Sequence, residues 1–143
     1  MTSRLVASLY TEAMLLADEA RGYFDEFGRA ERDTLQPFER VAFSCESLKV
    51  TTRLMHVIAW LLTRKAIEAG EIADEGSAAD SRRLGLAIDS DGDSVAALPE
   101  RAREIVAASV DLYGRVARID QDMVKPEADS PALSLIRRLE RAL

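Results

Sequence analysis

Residues 46–72, ESLKVTTRLMHVIAWLLTRKAIEAGEI, decide the fold of this chain. The stretch reads as helix throughout, yet its apolar side chains from Leu48 to Leu62 cover most of the helix circumference. A surface helix needs only one apolar stripe. The pattern therefore predicts one of two arrangements: a central helix that is unusually buried, or a helix whose extra apolar surface packs against a second subunit.

Two further long helices are predicted on either side of this stretch. The first runs from about Ser3 to Ala30, with an apolar stripe at spacings of three and four: Leu5, Leu9, Ala13, Leu16, Ala20, Tyr23 and Phe27. The third starts near Leu98 and stops before Pro126. Its heptad-like seam comprises Leu98, Ala102, Ile105, Ser109, Leu112, Val116, Ile119 and Met123. The prediction is an all-α antiparallel three-helix bundle with a long central helix.

The ends of the central helix carry their own signals. Asp33 or Thr34 is expected to cap its N-terminus, and Pro37 suits the first turn, where no intrahelical donor is needed. The helix is predicted to run to about Ala69, and Gly70 is placed to end it in the left-handed conformation.

The segment 71–94 changes character, with seven acidic residues, two basic residues and three glycines that break any periodicity. We predict a long flexible acidic loop, with a short ordered piece around 84–88 as an alternative for part of it. The predicted organisation is a bundle domain at residues 1–125, in which loop 71–97 is flexible, and a C-terminal tail at residues 126–143.

The tail sequence SPALSLIRRLERAL is short and amphipathic. Leu135, Ile136, Leu139 and Leu143 cluster on one face of a helix, with Arg137, Arg138 and Arg141 mostly on the other. A segment of this length is not stable as an isolated helix. We expect the tail to bind a partner and to gain order when it docks.

A homodimer is the second interaction predicted from the sequence. Two-fold dimers are the commonest oligomers, and the central helix offers nearly two apolar faces. The candidate interface residues are Leu54, Val57, Ile58 and Leu61, divided between the bundle core and the partner subunit.

Composition excludes several classes of partner. The formal charge of −6 repels phosphate, so nucleic acid is not the expected partner. The longest apolar run, 54–62, is far shorter than the roughly 20 residues of a membrane span, and the N-terminal segment does not read as a signal peptide. Cys45 falls on the buried spacing and is interpreted as a small core residue in a reducing compartment. The protein is expected to be cytoplasmic.

No catalytic, cofactor or metal residue is predicted. His56 is the only histidine, which argues against zinc or di-metal sites, and it is interpreted as a packing residue at an interface. Asp89, Asp91, Asp93 and Glu100 fit an EF-hand-like spacing, but Ser94 stands where the sharp turn requires glycine. The spacing of the acidic residues leaves one alternative function, a ligand- or calcium-responsive helical sensor that uses loop 89–100.

Three stretches resemble the regulator-of-CtrA-degradation (RcdA) family of alphaproteobacteria: residues 46–72, the stretch LPERAREIVAASVDLYGRVARID at 98–120, and the ending SLIRRLERAL at 134–143. The resemblance implies a homodimeric three-helix bundle without enzymatic activity. It also implies an adaptor for the ClpXP protease that acts with a response-regulator-like priming protein. Such an adaptor delivers cell-cycle cargo, such as a CtrA-like regulator. The implied functional positions are in the tail: Leu135, Ile136, Arg137, Arg138 and Leu139.

Overall fold

The computed structural model describes residues 3–74, 82–124 and 131–142. All regular secondary structure in these ranges is helical, which confirms the predicted all-α class. In chain order the elements are α1 (Ser3–Gly22), a π-helical turn (Tyr23–Phe27), α2 (Arg29–Asp33), α3 (Pro37–Glu68), α4 (Gly92–Ala96), α5 (Glu100–Val124) and α6 (Pro131–Ala142).

The three long helices α1, α3 and α5 each contact the other two and enclose the core. The seam predicted for the third helix is confirmed, because its members from Leu98 to Val116 are buried and Ile119 and Met123 are half-buried. The long central helix is also confirmed as α3, whose buried residues extend from Phe43 to Arg64.

Contacts between side chains give the direction of each helix. The Lys65 ammonium lies over the Tyr10 ring, and the rings of Phe24 and Phe43 are 5.2 Å apart, so α1 and α3 are antiparallel. By contrast, α3 and α5 are parallel. Arg53 bonds to Ser109, and Trp60, further toward the C-terminus of α3, bonds to Asp120, further toward the C-terminus of α5. The predicted antiparallel arrangement therefore fails for this pair, because the connection between α3 and α5 is long enough to cross back along the bundle.

The first predicted helix is interrupted. α1 ends at Gly22, and the backbone N–H of Gly28 donates to the carbonyl of Tyr23 at 2.6 Å across the π-helical turn. This wider turn shifts the register of the side chains that follow. Tyr23 and Phe24, at the start of the turn, are buried in the core, whereas Phe27 at its end, predicted as part of the stripe, is 77% exposed. Leu5, at the other end of the stripe, is also exposed.

The predicted N-cap of α3 was wrong and the predicted C-terminal glycine was right. Gln36 is the N-cap, and its backbone N–H donates to the Glu39 carboxylate at 3.3 Å. The Thr34 hydroxyl instead donates to the carbonyl of Glu31 and closes α2. Beyond α3, Gly70 has a φ of 74°, a left-handed conformation that glycine adopts without steric cost.

Residues 82–91 form the crossing segment, called the strap below. Leu84 is buried in the core, and the Tyr113 hydroxyl donates to the carbonyl of Gly85 at 2.7 Å. These contacts belong to the short piece around 84–88 for which order was the alternative. Further along the predicted loop, the strap bonds to the bundle and Gly92–Ala96 form α4. Residues 75–81, the middle of that loop, lie outside the described residues, and the flexibility predicted for them stays a prediction.

Candidate interaction surfaces

The C-terminal helix α6 presents an apolar side to solvent. Leu135, Ile136 and Leu139 are 58%, 48% and 58% exposed and recur at helical spacing, while Arg138 and Arg141 are also exposed. The side chain of Arg137 and the terminal Leu143 fall outside the described part of the chain. An amphipathic helix with an uncovered apolar side is typical of a segment that binds a partner.

Most of the predicted dimer residues are in the core of the single chain. Leu54, Val57 and Leu61 are at most 3% exposed, and only Ile58 is half-buried. A second subunit would not reach these three side chains without opening the bundle. They are corrected to core residues, because α1 and α5 pack on the side of α3 where they lie.

The opposite side of α3 carries a row of residues at alternating spacings of four and three, all exposed except the half-buried Thr52. This row is called the outward stripe: Val41, Cys45, Leu48, Thr52, Met55, Ala59 and Leu62. The four large apolar members are 46–69% exposed. This spacing is the heptad pattern of helices that pack against other helices. The prediction that Cys45 is a core residue was wrong, because the cysteine is exposed in this row.

A groove of about 420 Å³ lies between α1 and α3 beside the outward stripe. Its apolar lining includes Met14, Phe24, Met55 and Ile58. No residue of α5 lines it, so it opens on the side of the α1–α3 pair that α5 leaves uncovered. Met55 belongs to both surfaces, and the groove and the stripe are therefore adjacent.

A buried polar network fixes the strap to the bundle. Arg53, only 2% exposed, donates to Ser109 Oγ at 3.3 Å, to the carbonyl of Ile88 at 3.0 Å and to Ser90 Oγ at 2.5 Å. Ser90 in turn donates to the buried Glu46 carboxylate. Burial lowers the pKa of Arg53, and the nearby Glu46 opposes that shift. Every charged group here bonds within the chain, so the network is a structural tie.

His56 packs within its own chain. A Cβ added at Gly85 would lie 2.6 Å from His56 Nδ1, so the strap backbone rests directly on the imidazole. Nδ1 is buried without a hydrogen-bond partner. The interface assigned to His56 from the sequence is thus the one between α3 and the strap.

The calcium-responsive reading finds no support in the acidic segment. The Asp91 carboxylate accepts bonds from the Ser94 hydroxyl at 2.9 Å and the Ser94 backbone at 3.3 Å, which caps α4 and lowers the pKa of Asp91. In the ranges 3–74, 82–124 and 131–142, no three His, Cys, Asp or Glu side chains gather as a metal site would require. In the same ranges, no helix combines the length and apolarity needed to cross a membrane.

Comparison with known proteins assigns the chain to a family. A family model described as "Protein of unknown function (DUF1465)" matches residues 1–143. The crystal structure of RcdA from Caulobacter crescentus CB15 is similar with a TM-score of 0.72 and 30% sequence identity, over 88% of this chain and 97% of that chain. No curated protein matches. With its helix motifs, its fold and these two matches in agreement, the chain belongs to the DUF1465 family and to the RcdA family that its sequence resembles.

Proposed function

We propose that this protein is a non-enzymatic adaptor that delivers cell-cycle regulatory substrates to the ClpXP protease through protein–protein contacts. In this proposal it acts with a response-regulator-like priming protein, and a CtrA-like regulator is the type of cargo. The observation that carries the proposal is the structural similarity to RcdA, which covers 88% of this chain and 97% of the RcdA chain. The proposal retains the cytoplasmic localisation expected from the sequence.

The exposed apolar side of α6 supports this function. Leu135, Ile136 and Leu139 form a small contact surface, flanked by exposed arginines. Such a surface suits an acidic partner, because the apolar residues would be buried in the contact while charges at its rim mainly speed association. A helix this short gives a weak contact by itself.

Homodimerisation would strengthen that contact. We propose that two copies associate through the outward stripe, where Val41, Leu48, Met55 and Leu62 offer apolar surface along about 30 Å of α3. A dimer carries two tails, so one bound tail raises the effective concentration of the other near a partner that offers more than one binding site. Delivery then requires no large interface.

The test is degradation of a CtrA-like cargo by purified ClpXP and the priming protein. The full-length adaptor is compared with a chain lacking residues 131–143 and with the triple variant Leu135→Ser, Ile136→Ser, Leu139→Ser. We expect both variants to lose the adaptor-dependent acceleration, because each removes the apolar contact surface of α6.

The matched control is Arg141→Glu, a charge reversal on the same helix that leaves the three apolar side chains in place. We expect it to slow delivery less than the triple variant does. Circular dichroism melts of all four proteins establish that the bundle remains folded. Equal degradation rates with and without α6 would remove the tail from the mechanism, and no acceleration by the full-length chain would contradict the adaptor function itself.

A further inference from the structure

One chain contains two apolar surfaces of similar length on which none of the described residues packs. The groove between α1 and α3 is about 15 Å long, the ten-residue rise from Met14 to Phe24. The twelve residues of α6 extend about 18 Å and expose three large aliphatic side chains. We propose that, while no delivery partner occupies it, α6 of one copy docks in the α1–α3 groove of a second copy. The inference rests on the two-copy assembly proposed above.

The chemistry of the two surfaces is complementary. Leu135, Ile136 and Leu139 occupy about one turn of α6, the spacing with which an amphipathic helix anchors in an apolar groove. The methionine, phenylalanine and isoleucine side chains of the groove supply the apolar lining. Methionine adapts to partners of different shape, and both Met14 and Met55 are exposed in the single chain.

Charges at the edge of the groove favour a basic helix. Asp18 and Asp25 lie at the rim together with Arg21, which pairs with Asp18 at 3.8 Å. The rim therefore has a net negative charge. The exposed charges of α6 have the opposite net sign, with Arg138 and Arg141 against Glu140. These rim pairs would orient the helix and speed its association more than they would stabilise it.

Chain geometry favours the groove of a second copy over the groove of the same chain. Seven peptide steps join Val124 to Pro131 and span at most about 25 Å. Arg115 on α5 pairs with Glu12 on α1, so Val124 lies roughly 16 Å along the bundle axis from Met14. The connection must also pass around a helix about 10 Å wide to the side that α5 does not cover. The connection would therefore have to be stretched to most of its length, whereas a second copy has no such restriction.

Site-directed cross-linking in the full-length protein tests the proposal. In a Cys45→Ser background, one tagged copy carries Thr51→Cys on the groove wall and a second, differently tagged copy carries Ala142→Cys at the end of α6. Both positions are exposed, and neither substitution removes an apolar anchor or a rim charge. After the copies are mixed, we expect a disulfide between them to form about tenfold faster than in a control pair with Asp111→Cys on exposed α5.

Charge reversal supplies a second readout. Asp18→Arg together with Asp25→Arg in the groove copy should slow the cross-link severalfold at low salt and less at high salt. Equal rates for the groove and control pairs would overturn the proposal, as would a cross-link that forms only when both cysteines are in one chain.

Light scattering on the same mixtures reports assembly independently of the cross-link, and no protease is involved. A dimer without selective cross-linking therefore refutes the docking while leaving the adaptor function to its own assay.

Discussion

The indole Nε1 of Trp60 on α3 donates a hydrogen bond to Asp120 Oδ1 on α5 at 3.1 Å, across 60 residues of sequence. The other carboxylate oxygen accepts from Arg83 Nε on the strap at 2.9 Å. Asp120 is only 4% exposed and thus joins three segments of the chain with one buried carboxylate.

Replacing Asp120 with alanine should destabilise the bundle by about 1–3 kcal/mol, because it leaves the buried Trp60 N–H without its acceptor, whereas the 39% exposed Arg83 side chain can turn to water. Urea unfolding measures the change. The matched control is Asp111→Ala on the same helix, whose exposed carboxylate pairs with Arg115 at 2.9 Å. An exposed pair contributes at most about 1 kcal/mol. Similar losses for the two variants would show that the Asp120 bonds do not hold the segments together.

Two glycines should respond oppositely to alanine. A Cβ at Gly28 would lie 2.8 Å from both the ring and the carbonyl oxygen of Tyr23, so Gly28→Ala must displace the π-helical turn and should cost about 1–3 kcal/mol. At Gly114, inside α5, the nearest atom is the Arg118 guanidinium at 3.8 Å. Gly114→Ala should therefore stabilise the chain by up to about 1 kcal/mol through helix propensity. Thermal melts distinguish the two, and a stabilising Gly28→Ala would contradict the packing around the turn.

Stability should fall at alkaline pH because of a buried tyrosine. Burial, followed by the 2.6 Å hydrogen bond from the Tyr23 hydroxyl to Glu31, raises the pKa of Tyr23 above its ordinary value. The folded chain then holds this proton more tightly than the unfolded chain does. The stabilisation is complete below about pH 10 and is lost as pH rises toward the folded-state pKa.

The variant Tyr23→Phe should consequently show a shallower loss of unfolding free energy between about pH 8 and pH 11 than the parent chain. Urea unfolding at the two pH values measures it. Burial also raises the pKa of Tyr113, so the parent slope contains a second contribution that Tyr113→Phe should remove. Identical pH slopes for the parent and both variants would refute this assignment.

The outward stripe should govern association. We expect the parent chain to scatter light as a dimer of twice the 15.8 kDa chain mass. Leu48→Glu combined with Leu62→Glu, two stripe residues outside the groove, should give a monomer. The melting temperature of the bundle itself should not change, because both side chains are already exposed. The control is Val110→Glu, an exposed apolar residue on α5, which should remain dimeric. A dimer that survives the double substitution would place the interface elsewhere.

The sequence by itself determined where the long helices lie and where most of them end. Pro37 and Gly70 delimit α3 through local backbone preferences, and the single apolar seam of α5 fixes its buried side. The amphipathic character of the tail is likewise local, because it depends only on which residues recur every three or four positions. The groove and the outward stripe follow only in part from this spacing, because their exposure also depends on where the other helices pack.

Only the tertiary structure decided which side of α3 is inside. Apolar residues surround that helix, so periodicity alone could not distinguish Leu54, Val57 and Leu61 from the exposed Leu48 and Met55. The choice depends on where α1 and α5 pack. The path of the strap and the parallel direction of α5 depend on bonds that join distant positions, such as that of Arg53 to Ser109, 56 residues apart. Helical spacing gives the position of a side chain around its own helix axis, whereas these pairings are set by the mutual packing of separate segments.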